Sequence, residues 1–378
     1  MTDADVLILG GGGAGCSAAL HLAQRGLRAV LLERGLVGSQ ASGVNYGGVR
    51  QQGRHAAELP LSRLSREIWG RLPELVGTDC EFDPCGHLKL ARTEADAAAL
   101  EAWNRMAREH GLAPRLIGRN AIRAEHPYFS DDILAGSLLE EDGSANPRLL
   151  SPALAKAARA AGVTILEHHK VEALAHDGTR FTLAAAGREF RAPVLLNTAG
   201  FWGAAVAARF NEPVPCTPLS PNMVVTEPLP YFLKPSLGVV GGDIYLRQIA
   251  RGNVIFGGGH GECDPAIPAS RPRPEVTLAA MRRAAAVIPR LAGAMVIRSW
   301  SGIDGQMADG LPVIGASATT PGLFHAFGFS GHGFQLGPGT GAVLAGLVVD
   351  GRSPVDVTGF DIRRFGGQTA ADPRGEFH

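Results

Sequence analysis

The feature that most limits the folds open to this chain is a run near its start, Gly10-Gly11-Gly12-Gly13-Ala14-Gly15. An apolar run, Val6 to Leu9, precedes it; helical composition from Ala14 to Arg25 and a second apolar run from Ala29 to Glu33 follow. That order predicts a strand, a glycine turn, a helix and a second strand in one βαβ unit. Glycine fills all three positions of G-x-G-x-x-G, and Glu33 ends the second strand 18 residues after Gly15. The three glycines do different physical jobs. Gly10 permits the tight turn, Gly12 lets a pyrophosphate approach the backbone, and Gly15 lets helix and strand pack closely. The helix N-terminus then faces the phosphates, and the Glu33 carboxylate can accept both hydroxyls of an adenosine ribose. Dinucleotide binding follows from this pattern, which by itself does not separate FAD from NAD.

Composition supports a ligand-holding fold. Glycine supplies 50 of 378 residues, about 13% against an average of roughly 7%, and the glycines cluster in a few loops. Lys plus Arg and Asp plus Glu both number 36, which argues against nucleic acid or an anionic membrane surface and for a small-molecule partner. The five cysteines, Cys16, Cys80, Cys85, Cys216 and Cys263, are scattered without metal-site or redox spacing, as expected of a chain in a reducing cytoplasm. A strand begins within five residues of Met1 and no apolar run reaches membrane-spanning length, so neither a signal sequence nor membrane insertion is expected.

Further along, Leu36 to Arg54 reads as an ordered loop. Helical patterns cover about Leu59 to Val76, Glu94 to His110 and Gly118 to His126, with a strand at Gly86 to Ala91. A helix after Pro147 leads to strands at Val163 to Glu167, Val171 to His176, Arg180 to Ala185 and Val194 to Asn197. Met223 to Glu227, Asp243 to Gln248 and Val254 to Gly257 have the pattern of antiparallel strands. After a helix at Pro274 to Ile288 come strands at Met295 to Ser301 and Leu323 to Ala326, and a small-residue helix from about Pro338 to Val349. The α/β signature at both ends and in the middle predicts a mixed α/β fold. In it, a discontinuous Rossmann-type cofactor domain (1–79, 145–212 and 296–378) is interleaved with an antiparallel-sheet substrate domain (80–144 and 213–295).

Three C-terminal segments carry a resemblance: Trp300-Ser301-Gly302, Asp309-Gly310-Leu311-Pro312-Val313-Ile314-Gly315, and Gly328-Phe329-Ser330-Gly331-His332-Gly333-Phe334. With the N-terminal fingerprint, Gly38-Ser39-Gln40-Ala41-Ser42-Gly43 and Asn197-Thr198-Ala199-Gly200, they resemble the D-amino-acid oxidase superfamily over essentially the whole chain. The resemblance implies non-covalent FAD. It also implies cofactor contacts at Gly10, Gly12, Ala14, Gly15, Glu33, Arg34, Ser39, Ser42 and Gly43, at Val171 through its backbone, and at Ala199, Gly200 and Trp202. On the flavin side it implies Gly302, Ile303, Gly328, Ser330, Gly331, His332, Gly333 and Phe334. Ordinary turn chemistry is the competing reading for Ser39 and Ser42.

Oxidation of a C–N bond by hydride transfer needs an oriented carbon and a neutral amine, and a carboxylate substrate calls for an arginine. Residues two apart share a strand face, which pairs Tyr245 with Arg247; Arg50 and Arg54 follow the flavin loop. Glycine oxidase in this superfamily has a carboxylate-binding arginine two residues after the W-x-G motif, where this chain has Asp304. Either Arg50 or Arg247 takes that place, or Asp304 recognises a cationic group. His332 is expected to assist amine deprotonation or to fix its loop. Gln335 stands in for the lysine of some sarcosine oxidases. The runs Ser42 to Arg50 and Tyr245 to Gln248 look most like hydroxyproline and opine dehydrogenase subunits. The expected activity is therefore a dehydrogenase acting on a secondary amino acid such as D-hydroxyproline or D-proline. An oxygen-using sarcosine, glycine or D-amino-acid oxidase and a non-catalytic flavin relay subunit remain alternatives, with a homo-oligomer or electron-transfer subunits as the partners to expect.

Overall fold

The computed structural model describes residues 2–366; the remainder of the expected C-terminal cofactor segment, 367–378, lies outside the described residues. A six-stranded sheet runs in the order Val313–Ala316, Leu323–Phe327, Val194–Asn197, Val6–Leu9, Ala29–Leu32, Thr164–Leu166. All its pairings are parallel except the edge strand Val313–Ala316. Its central strand is buried on both faces, as parallel strands covered on two sides must be. Val6 and Ile8 join the core beneath the helices. Leu7 and Leu9 pack on a four-stranded sheet made by Thr2–Asp3, Arg188–Ala192, Phe181–Ala185 and Val171–His176.

On the helical face, Gly13–Gln24 packs against Gly333–Val349 at a spacing only small residues permit. A Cβ on Gly341 would collide with Ser17 and Ala18. The second of these helices starts five residues before the proline that the sequence suggested as its beginning. Pro338 removes one backbone donor and opens the ladder, and the gap is closed from outside: Ser65 Oγ accepts from Gly339 N at 3.0 Å and donates to the Gln335 carbonyl, which also accepts from Trp69 Nε1 at 3.1 Å. The expected helix from Leu59 to Val76 is broken at Arg71 into Leu59–Gly70 and Leu72–Val76, because Pro73 cannot donate to the Trp69 carbonyl.

An eight-stranded sheet draws on two separated stretches of chain. Its order is Val296–Trp300, Pro221–Pro228, Asn253–His260, Tyr245–Gln248, Ser236–Val239, His87–Ala91, Ala135–Leu139, Arg115–Gly118. The stretches meet at the one parallel pairing, Ser236–Val239 with His87–Ala91. Val296–Trp300 pairs with Pro221–Pro228, so this strand belongs to the eight-stranded sheet rather than to the cofactor segment expected to open at 296. Alternation sets the two faces: Leu88, Leu90, Leu246 and Phe256 enter a core under the helix Pro274–Val287, while His87, Lys89 and Tyr245 face the six-stranded half of the molecule. No helix among the described residues is long and apolar enough to cross a membrane.

Candidate active site

A cavity of about 1050 Å³ lies between the two large sheets. It exceeds the usual range for a single small-ligand pocket, about 300 to 1000 Å³. At one end the glycine loop forms its floor. Gly10 has φ +100°, and a Cβ on Gly15 would collide with the Gly10 carbonyl and lie 2.6 Å from Thr198 Oγ1. Gly15 is thus a packing residue behind the wall, whereas Gly10, Gly12 and Ala14 line it. The Glu33 carboxylate accepts from Gly11 N and Gly35 N, both at 2.7 Å, and each oxygen keeps a free lone pair for a ribose hydroxyl. Arg34 stacks on the Trp202 ring at 4.1 Å, and Val171, Ala199 and Gly200 complete this end.

In the middle, Ser39 and Ser42 line the wall, and Ser42 Oγ accepts from Gly13 N at 3.0 Å across the helix mouth. The stretch expected as loop contains a short helix, Ala41–Val44. Gly43 sits behind it, where a Cβ would meet the Gly38 carbonyl, and Trp300 Nε1 donates to the Val44 carbonyl at 2.6 Å. Gly302 and Ile303 line the cavity here. Opposite, Ser330, Gly331, His332, Gly333 and Phe334 lead directly into the C-terminal helix. Its dipole and free amides face the cavity, where they favour negative charge. Gly328 turns with φ +69° beside Met307 and does not reach the wall.

Asp304 lines the cavity and is engaged by two backbone amides. Its oxygens accept from Gly331 N at 2.7 Å and Gly305 N at 2.8 Å, so it braces the 328–333 turn, and burial pushes its carboxyl up despite those two amides. His332 Nδ1 lies 2.7 Å from Glu58 Oε1. Since a carboxylate only accepts, Nδ1 carries the proton and Nε2 is left as the acceptor. Burial first, then the Arg54 charge, lowers His332 to about 4 against the pull of Glu58, so the imidazole is neutral near pH 7.

At the far end the structure separates two arginines that the sequence treated alike. Arg247 is buried, donates from Nε to the Tyr46 carbonyl at 2.6 Å and from Nη1 to Ser144 Oγ at 3.2 Å, and is absent from the cavity wall. It props Tyr46, whose ring lies 4.8 Å from that of Tyr245. Arg50 does line the cavity, with Arg54, Lys89, Tyr46 and Tyr245. Its loop is fixed by Asp142, which accepts from Gln51 N and Gln52 N at 2.8 Å each and is pushed by burial to about 6. Asp142→Ala would strand two buried donors, each at about 1–3 kcal/mol. A loss of about 3 kcal/mol is expected in urea unfolding, partly recovered in Asp142→Asn; an unchanged midpoint would refute this role.

Lys89, Glu58 and Asp142 were not anticipated. The His87-Leu88-Lys89-Leu90 alternation does put His87 and Lys89 on one face, but a half-polar strand reads equally as a solvated edge. No cluster of His, Cys, Asp or Glu suited to a metal occurs among the described residues.

Residues 5–347 match the model of the DAO family, FAD dependent oxidoreductase, and the chain belongs to that family. The glycine oxidase of Geobacillus kaustophilus is 28% identical over 97% of this chain and 99% of its own length. A subunit of the opine oxidase of Rhizobium meliloti is 28% identical over 98% of this chain and 100% of its own. In fold, L-proline dehydrogenase from P. horikoshii superposes with a TM-score of 0.91 at 24% identity, over 98% of this chain and 100% of that one. The glycine cradle, the paired lone pairs of Glu33 and the amide-rich turn before the C-terminal helix fit FAD.

Proposed function

We propose that the chain is a dehydrogenase that oxidises the C–N bond of a secondary amino acid, with D-hydroxyproline and D-proline as the first substrates to test. The observation carrying this reading is that one continuous cavity joins the glycine cradle to an end holding Arg50, Arg54, two tyrosines and a neutral histidine. Bound FAD supplies the acceptor for a hydride from the carbon beside nitrogen. Arg50 holds the substrate carboxylate. Tyr46 Oη, buried with no partner among the described residues, and Tyr245 orient the amine. Neutral His332 offers its Nε2 as a hydrogen-bond acceptor that helps orient the amine N–H. Relatives named for glycine and opine oxidation support an amine donor, and the second is named as a subunit, which supports a partner for electron transfer.

The test is anaerobic. The purified yellow protein is mixed separately with D-hydroxyproline, D-proline, sarcosine, glycine and common D- and L-amino acids. Loss of flavin absorbance with a secondary amine, slowly reversed by air, is the expected result. Rapid return with hydrogen peroxide would make it an oxidase, and no bleaching by any amine would replace this reading with that of a relay subunit.

A further inference from the structure

The cation-rich substrate end also carries one acceptor that the C–N chemistry leaves unused. His87 is 2% exposed, yet it lines the cavity. Its Nδ1 lies 3.0 Å from Ser236 Oγ, whose hydroxyl donates to the Gly86 carbonyl, also at 3.0 Å. A serine hydroxyl has one proton to give, so the His87 Nδ1–H donates to Ser236 and Nε2 keeps its lone pair. That Nε2 has no hydrogen-bond partner among the described residues. It leans over Gly238, where a Cβ would lie 3.3 Å away. Gly238 pairs with Lys89 on one side and with Tyr245 on the other. The missing side chain therefore leaves a gap between those two residues, and the imidazole edge reaches into it.

The surroundings favour the same tautomer. Arg50, Arg54 and Lys89 all line this end of the cavity, and their head groups bring only donors. A lone pair turned toward such a field is stabilised, whereas an N–H turned the same way is repelled. Burial first, then the charges of Arg50, Lys89 and Arg54, holds His87 well below the usual imidazole range, so the ring is neutral near pH 7. Two acceptors thus face the substrate, His332 Nε2 and His87 Nε2. A neutral secondary amine has a single N–H, and His332 takes it. The second acceptor calls for a second donor on the substrate. A hydroxyl suits the gap, because it can donate to His87 while accepting from Lys89, two positions along the same strand face. A hydrocarbon ring in that place would leave Nε2 desolvated and unmatched, which is costly.

We propose that His87 is a specificity-determining residue that favours substrates bearing a hydroxyl apart from the amine, with Nε2 accepting from that hydroxyl and Lys89 donating to its oxygen. This rests on the C–N oxidation reading and adds to it the residue that separates D-hydroxyproline from D-proline.

Two measurements on the FAD-loaded protein keep the two readings separable. Anaerobic flavin reduction is compared for D-hydroxyproline and D-proline. Perturbation of the flavin spectrum is titrated with 3-hydroxycyclopentanecarboxylate and cyclopentanecarboxylate, carbocyclic counterparts that have no nitrogen to oxidise. The hydroxylated member of each pair is expected to be favoured about tenfold, in reduction efficiency or in Kd. His87→Asn keeps a donor for Ser236 but loses the acceptor in the gap, so the ratio should fall to about one. His87→Gln, whose amide oxygen reaches the Nε2 position, should recover most of it. Equal binding of the two carbocycles by the parent protein would overturn the proposal. So would a ratio unchanged in His87→Asn; an equal loss on both amines would put the imidazole on the amine instead. Tenfold discrimination between the carbocycles with no amine reducing the flavin would keep the hydroxyl site and overturn C–N oxidation.

Discussion

Gly12→Val should fold and purify without colour. Gly12 sits at the head of Gly13–Gln24 with φ −77° and ψ −176°, extended backbone that valine adopts readily. The expected defect is therefore in the ligand and not in the chain. A Cβ there would lie 2.9 Å from Ser42 Oγ, in the gap where a pyrophosphate must approach the helix amides. Losing about two charge-assisted hydrogen bonds, at roughly 1.5–3 kcal/mol each, weakens FAD by about 10²- to 10⁴-fold. Flavin absorbance per chain after purification and a fluorescence titration with FAD measure this, with circular dichroism as the check on folding. Gly15→Ala makes the contrast, since its Cβ collides with the Gly10 carbonyl and should damage folding first. A yellow, fully loaded Gly12→Val protein would mean the cofactor does not lie along this turn.

The difference between those two glycines was legible before any coordinates, because each position of the fingerprint does a different physical job. So were most strands and helices, whose periodicity reflects which face is buried. What escaped the sequence depended on long-range partners. Arg188–Ala192 is heavily charged for a strand, yet Phe190 and Ala192 reach the core while its arginines stay outside. Ser236–Val239 carries a central glycine and is stabilised by pairing on both sides. The C-terminal helix passes through Pro338 because Ser65 and Trp69, some 270 positions away, supply the missing bonds. The site divides in the same manner. The cofactor residues are local motifs, but Arg50 and Arg247 both read as plausible anchors, and only the fold shows one on the cavity wall and the other committed to Tyr46. Asp304 had no partner that the sequence could name; the fold supplies two, Gly305 N and Gly331 N.

That division of labour sets the sharpest test of substrate binding. Arg50→Met is expected to leave FAD and stability in place and to lower kcat/KM for the best amino-acid substrate by about 10³-fold, roughly 4 kcal/mol, mainly through KM. The methionine keeps the apolar stem but removes the fork that meets the carboxylate, and Arg54 and Lys89 hold enough of the field to leave residual turnover. Arg50→Lys should recover part of the loss, since a point charge replaces two directed bonds by one. Arg247→Met should behave oppositely. Its guanidinium supports the Tyr46 carbonyl and Ser144 Oγ from inside the protein, so its removal should lower the unfolding midpoint and disturb kcat through the Tyr46–Tyr245 pair, with a smaller effect on KM. The two variants, compared under anaerobic steady state with an artificial acceptor, assign the anchor. If Arg50→Met stays within about threefold of the parent while Arg247→Met loses substrate affinity, the carboxylate lies on the other side of Tyr46 and the Arg50 end of the cavity is not where the amino acid binds.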